Sequence, residues 1–107
     1  MEYLSMPVDG SEKSYGVRLI TDAMTNNSSG KKTFLIGDII IVDPLRECKS
    51  TNYVLAFVNG NPEAVFRQYI VDGRDKFLRA LNSDYQKITM DDSVKIVGVI
   101  IGHLAAL

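Results

Sequence analysis

Cysteine and histidine are nearly missing from this sequence of 107 residues, with one of each. The lone Cys48 cannot close an intrachain disulfide, and no Cys and His residues stand at metal-ligand spacing. A disulfide scaffold and a metal site are therefore not expected, no cofactor is implied, and a reducing cytoplasm is the expected compartment. Long apolar runs are also absent: Val97 to Ile101 falls far short of the roughly 20 residues that span a bilayer. The N-terminus lacks a basic-then-apolar signal, so no membrane partner is expected. An excess of one charge is missing too, with a formal net charge of -1 and a pI of about 5.7. No global positive field draws the chain onto a phosphate backbone. Sustained three-four periodicity is lacking, as are internal repeats and low-complexity segments. A helix-turn-helix has no place here, and the chain reads as a piece of a longer protein whose DNA contact would lie elsewhere.

What is present is strand pattern. With 46% hydrophobic and 23% charged residues, the composition fits one globular domain with a small core. Residues 1–14 are mixed and polar, contain Pro7 and Gly10, and read as a linker or arm; the domain proper is 15–107. Tyr15, Val17 and Leu19 alternate with Gly16, Arg18 and Ile20, as in a half-buried strand that delivers Asp22-Ala23-Met24 to its end. Thr25 to Lys32 is a polar loop. Ile39 to Val42 is a continuous β-branched run closed by Asp43-Pro44. Asn52 to Val58 follows, then Asn59-Gly60 as a tight hairpin turn into Glu63 to Val71. Asp72-Gly73 is a second hairpin signal into Lys76 to Leu81, and Val94 to Leu104 is the last and most apolar strand. The expected fold is mainly β, a single domain of about six strands.

Several residues invite a chemical reading and have a blander one. Gly30-Lys31-Lys32-Thr33 superficially matches the end of a phosphate-binding loop, but that motif needs Ser or Thr directly after its lysine and a glycine where Thr25 stands. His103 lies in an apolar strand with no carboxylate or cysteine spacing around it, and reads as structural. Cys48 has no identifiable base beside it. Asp91-Asp92 are adjacent residues that would point to opposite faces of a strand, so a solvated turn is the better reading. Lys31-Lys32 and Arg46 to Lys49 are short charge clusters typical of exposed loops.

Taken in order, Asp22-Ala23-Met24-Thr25, the polar loop, Gly37-Asp38, Ile39 to Val42 and Asp43-Pro44 resemble the LexA-like repressor and peptidase family. The resemblance continues through Asn52-Tyr53-Val54, Glu63 to Tyr69, Leu81-Asn82-Ser83-Asp84-Tyr85 and Ile96 to Ile100. It spans about Tyr15 to His103, and the long loop before Phe34 is most similar to phage-lambda-type repressors. It implies a LexA/signal-peptidase-like β fold that pairs into homodimers or higher homo-oligomers. Operator DNA would be bound only through a separate N-terminal domain, with RecA or an antirepressor as further possible partners.

The departures from the family matter most. The resemblance implies a catalytic serine where Ala23 stands and a lysine base where Arg67 stands. A methyl group cannot form an acyl intermediate, and a guanidinium keeps its proton at any relevant pH. Thr25 and Ser28 sit in or beside the loop and do not replace the nucleophile. No Ala-Gly cleavage bond occurs in 1–14, where only Asp9-Gly10 comes near. Arg67 would share a strand face with Val65, Tyr69 and Val71; either its head reaches water, or it is buried and needs a carboxylate, for which Asp22 is the candidate. The expected role is the oligomerisation domain of a repressor with an inactive protease site. Val99, Ile101 and Leu104 are candidates for the contact between copies, and equally for the core. The alternative is a self-cleaving LexA- or UmuD-like serine peptidase trapped by engineered substitutions.

Overall fold

The computed structural model describes residues 2–5, 12–28 and 30–106. The described residues form eight strands: β1 (Glu2–Ser5), β2 (Tyr15–Arg18), β3 (Ile39–Asp43), β4 (Tyr53–Val58), β5 (Val65–Asp72), β6 (Asp75–Arg79), β7 (Ile88–Thr89) and β8 (Val94–Leu104). Every pairing is antiparallel, in the single order β1-β2-β3-β8-β4-β5-β6-β7. No helix occurs among the described residues. The six strands expected from alternation are all present, with ends shifted by a residue or two. The two additional ones lack a readable pattern: β7 is only two residues long, and β1 lies within the arm of residues 1–14, paired to β2. Residues 6–11, and Asp9-Gly10 with them, lie outside the described residues.

β8 joins the sheet together. Its C-terminal part pairs with β3 from Val99 to Leu104, and its N-terminal part pairs with β4 from Val94 to Val99. Both ladders are interrupted by a register shift, at Ile41/Val42 against β3 and at Leu55/Ala56 against β4. Such bulges bend a strand and increase its twist. A single sheet can then bury apolar residues on both faces. On β4, Leu55 belongs to one core with Val17, Phe34, Ile40, Val42 and Phe66, while its neighbours Val54 and Ala56 belong to another with Leu78, Val94 and Val99. Successive strand residues face opposite ways, so the continuous apolar runs of β3 and β4 are what a doubly covered strand requires.

One expected turn differs. The Asp72-Gly73 signal makes a two-residue reversal, with Asp72 facing Asp75 and Gly73 at φ 61°, as a II′ turn requires of its first central residue. Asn59-Gly60 does not make a tight turn. Gly60 has positive φ but Asn59 does not, and the connection runs from residue 59 to 64. Of the residues considered for a contact between copies, Val99 is buried in the core, Ile101 is half-buried and Leu104 is exposed.

At Gly98, opposite Leu55 on β4, an added methyl group would collide with Cγ1 of Val42. Val42 is itself fully buried, so it has nowhere to move. Gly98→Ala should therefore destabilise the fold by about 1–3 kcal/mol, the usual cost of overpacking. Urea unfolding measures this, and a change under about 0.5 kcal/mol would show that β8 and β3 yield at that point.

Candidate functional site

The chain leaves β2 and enters a stretch held from both sides. The amide of Leu19 donates to Asp38 O, and the amide of Gly37 donates back to Leu19 O. Asp22 to Thr25 then form a turn closed by Thr25 N–H to Asp22 O at 3.0 Å. The polar loop that follows is pinched at its base, where Phe34 N–H donates to Met24 O, the Thr25 hydroxyl donates to Phe34 O, and Asn26 N–H donates to the Thr33 hydroxyl. The loop can therefore be long and polar without disturbing the turn. Ala23 lies at the centre of that turn, only 2% exposed.

The turn is anchored by a segment sixty residues away. Asn82, itself buried, donates its amide N–H to Ala23 O at 3.0 Å and its side-chain Nδ2–H to Asp22 O at 3.1 Å. Its Oδ1 accepts from Asp84 N–H, and its carbonyl accepts from Tyr85 N–H, so residues 82–85 form a compact turn of their own. Tyr85 then donates its hydroxyl to Asp22 Oδ1 at 2.7 Å. That hydrogen bond to a carboxylate, followed by partial burial, pushes the Tyr85 phenol above its ordinary pKa.

Arg67 approaches from β5, where it pairs with Val54. It is 9% exposed. One of its Nη1–H groups donates to Phe66 O at 2.8 Å, its guanidinium lies 5.4 Å from the centre of the Tyr85 ring, and its Nε has no partner. No ion pair joins it to Asp22 among the described residues. Tyr85 stands between the two, with its hydroxyl on the carboxylate and its ring under the cation. Of the expected alternatives for Arg67, its side chain is buried; Asp22, the carboxylate expected to meet it, is hydrogen-bonded to Tyr85 instead. Burial pushes the Arg67 guanidinium below its ordinary pKa, which for arginine still leaves it protonated. A cleft of about 140 Å³ opens beside it, lined by Ile20, Thr21, Glu63, Arg67 and Tyr85 among others.

The structure thus brings Asp22, Ala23, Arg67 and the 82–85 turn into one place. Asn82 and Tyr85 were not singled out as site residues from the sequence; their only signal was membership of the Leu81 to Tyr85 resemblance. His103 and Cys48 lie elsewhere. Cys48 is half-buried, and that burial pushes its thiol pKa up, away from reactivity. Among the described residues no group of three or more His, Cys, Asp or Glu could hold a metal ion, and no helix is long and apolar enough to cross a membrane. Asp91 and Asp92 are exposed in the turn before β8, where Asp91 accepts from the backbone and hydroxyl of Ser93.

A second polar cluster forms where the chain enters β3. The Asp38 carboxylate, 3% exposed, accepts from Leu35 N–H, Ala106 N–H and His103 Nε2–H, the last at 2.7 Å. Lys32 Nζ is 3.2 Å from the other ring nitrogen. An ammonium only donates and a carboxylate only accepts, so His103 is held as its Nε2–H tautomer. Its imidazole stacks on Phe34 at 4.5 Å.

The Peptidase S24-like family model matches residues 2–101. The chain is 36% identical over 89 residues to an HTH-type transcriptional regulator for conjugative element R391 from Providencia rettgeri, covering 83% of this chain and 41% of that protein. It is 35% identical over 94 residues to repressor protein C2 of Salmonella phage P22, covering 88% and 43%. It is 30% identical over 97 residues to prophage repressor CohE of Escherichia coli strain K12, covering 89% and 41%. The chain thus spans about two-fifths of the length of the curated relatives it matches.

Burial pushes the Asp38 carboxyl up, but its three hydrogen bonds and the facing imidazole outweigh burial and leave it below its ordinary pKa. Its contribution to stability is therefore complete above the unfolded carboxyl value of ~3.9 and is lost as pH falls through the lower folded value. Asp38→Asn should cost about 1–3 kcal/mol at neutral pH. In urea melts its stability should also decline less steeply than that of the unaltered chain below pH ~4.

Proposed function

The chain belongs to the Peptidase S24-like family, and from that membership we propose that it is the self-associating C-terminal domain of a LexA-like, phage-type transcriptional repressor with a silent serine/lysine protease site. Its relatives named as repressors or transcriptional regulators match it over most of its length. The observation that carries the silent site is the pair of residues braced by the 82–85 turn. Ala23 offers a methyl group where an attacking oxygen is needed, and Arg67 offers a cation that does not give up its proton where a base is needed. The surrounding scaffold is intact around a centre without the chemistry.

Self-association is supported by apolar surface at one end of the sheet. Ile36 is 60% exposed and Leu104 46% exposed, with Leu35 beside them. The chain brings them to one end of the sheet: Leu104 pairs with Ile39, and Ala106 is tied to Asp38, which closes the turn holding Leu35 and Ile36. A second copy covering this face would join two DNA-binding domains carried outside this chain. The second half-site is then met at high effective concentration.

Sedimentation velocity at about 100 μM, a concentration at which a micromolar dimer is saturated, should show a dimer or larger species. Leu104→Glu should weaken that association about tenfold or more, on the order of 1.4 kcal/mol. A monomer throughout would remove the self-association reading. Separately, the intact repressor polypeptide should stay uncut at alkaline pH, since neither Ala23 nor Arg67 can serve as nucleophile or base. Cleavage of the unaltered protein would remove the silent-site reading.

A further inference from the structure

A guanidinium has five N–H donors and no acceptor, and Arg67 uses few of them within the protein. It is nine-tenths buried, gives one hydrogen bond from Nη1 to Phe66 O, rests on the Tyr85 ring, and leaves Nε closed to solvent and without a partner. Burying a charge is costly unless it is paired and hydrogen-bonded. The two nearby acids do not supply the pair. Asp22 is engaged by the Tyr85 hydroxyl, and Glu63, exposed on the cleft wall, forms no ion pair with Arg67 among the described residues. The cleft beside Arg67 holds about 140 Å³, which is room for a few heavy atoms.

We infer that this cleft is a binding site for a small organic carboxylate, with Arg67 as the counter-charge. A planar carboxylate matches the guanidinium fork and accepts two parallel hydrogen bonds, which a spherical anion cannot do. Ile20, half-exposed on the cleft wall, offers apolar contact to a short carbon chain. Thr21 adds a hydroxyl. Glu63 and Asp22 place negative charge nearby, and this selects a monovalent carboxylate over a doubly charged phosphate. Tyr85 links the site to the Asp22–Ala23 turn, so an occupied cleft also holds that turn. The proposal needs neither DNA binding nor self-association, and it stands if either fails.

The test is a titration of the whole chain with sodium acetate, sodium propionate, sodium phosphate and sodium chloride at matched ionic strength and pH. Acetate and propionate should raise Tm beyond the chloride control, since a ligand that binds only the folded state stabilises it. They should bind with a Kd on the order of millimolar, as suits ligands of so few atoms. Phosphate should do no more than chloride, and Arg67→Met should weaken the carboxylate effect by about tenfold or more. Because Arg67→Met could also unfold the chain, the guanidinium 15N and 13Cζ NMR resonances of Arg67 in the unaltered protein are followed in parallel. They should move saturably with acetate and not with chloride. No carboxylate-specific Tm rise, an equal response to phosphate, or guanidinium signals that ignore acetate overturn the assignment.

Discussion

β8 has to serve two partners at once, and the rest of the architecture follows from that constraint. One strand of eleven residues hydrogen-bonds β3 along one part and β4 along the other, meeting Asp43 and Val54 at the same residue, Val99. Without it, β1-β2-β3 and β4-β5-β6-β7 would be separate ribbons with no shared core. The requirement explains the composition of β8. Gly98 and Gly102 lie where Val42 and Ile41 crowd the strand, and the two register shifts supply the twist that lets one sheet cover two cores.

The same seam places the two halves of the candidate site. Ala23 is carried by the connection after β2, on one side of β8, and Arg67 by β5, on the other. The 82–85 turn, delivered by the chain after β6, bridges them with two hydrogen bonds to the Asp22-Ala23 backbone and a ring under Arg67. A buried cation is tolerated there because the Tyr85 ring presents its negative face, and the hydroxyl on Asp22 draws that ring toward the charge. The guanidinium meets the Tyr85 ring, and the carboxylate meets the Tyr85 hydroxyl. The open cleft and the unpartnered Nε are what remain once that indirect arrangement is in place.

Asp38 does a related job at the other end of the turn. It satisfies two backbone amides and one imidazole from a position almost closed to water. This fastens the residues after β8 to the entrance of β3, next to the exposed Leu35, Ile36 and Leu104. His103 is a structural member of that cluster: its ring hydrogen-bonds the carboxylate at one edge, and its face packs on Phe34. This clasp gives the strand end beside Leu104 a defined shape.

From the amino-acid order alone, the six principal strands were legible, because alternation and β-branched runs are local properties written residue by residue. Which side chains stand at positions 23 and 67 is likewise fixed by the amino-acid order, whereas their meeting at the 82–85 turn is not. Strand order, the six-residue connection at Asn59-Gly60, the β1 pairing and the two-residue β7 were not legible. Each depends on which distant segment lies alongside, and no local pattern encodes that. Tyr85 between Asp22 and Arg67, and Asp38 with His103, join residues 63 and 65 positions apart. Only the packing of the whole sheet decides such meetings, because a buried charge takes whatever partner the fold brings within reach.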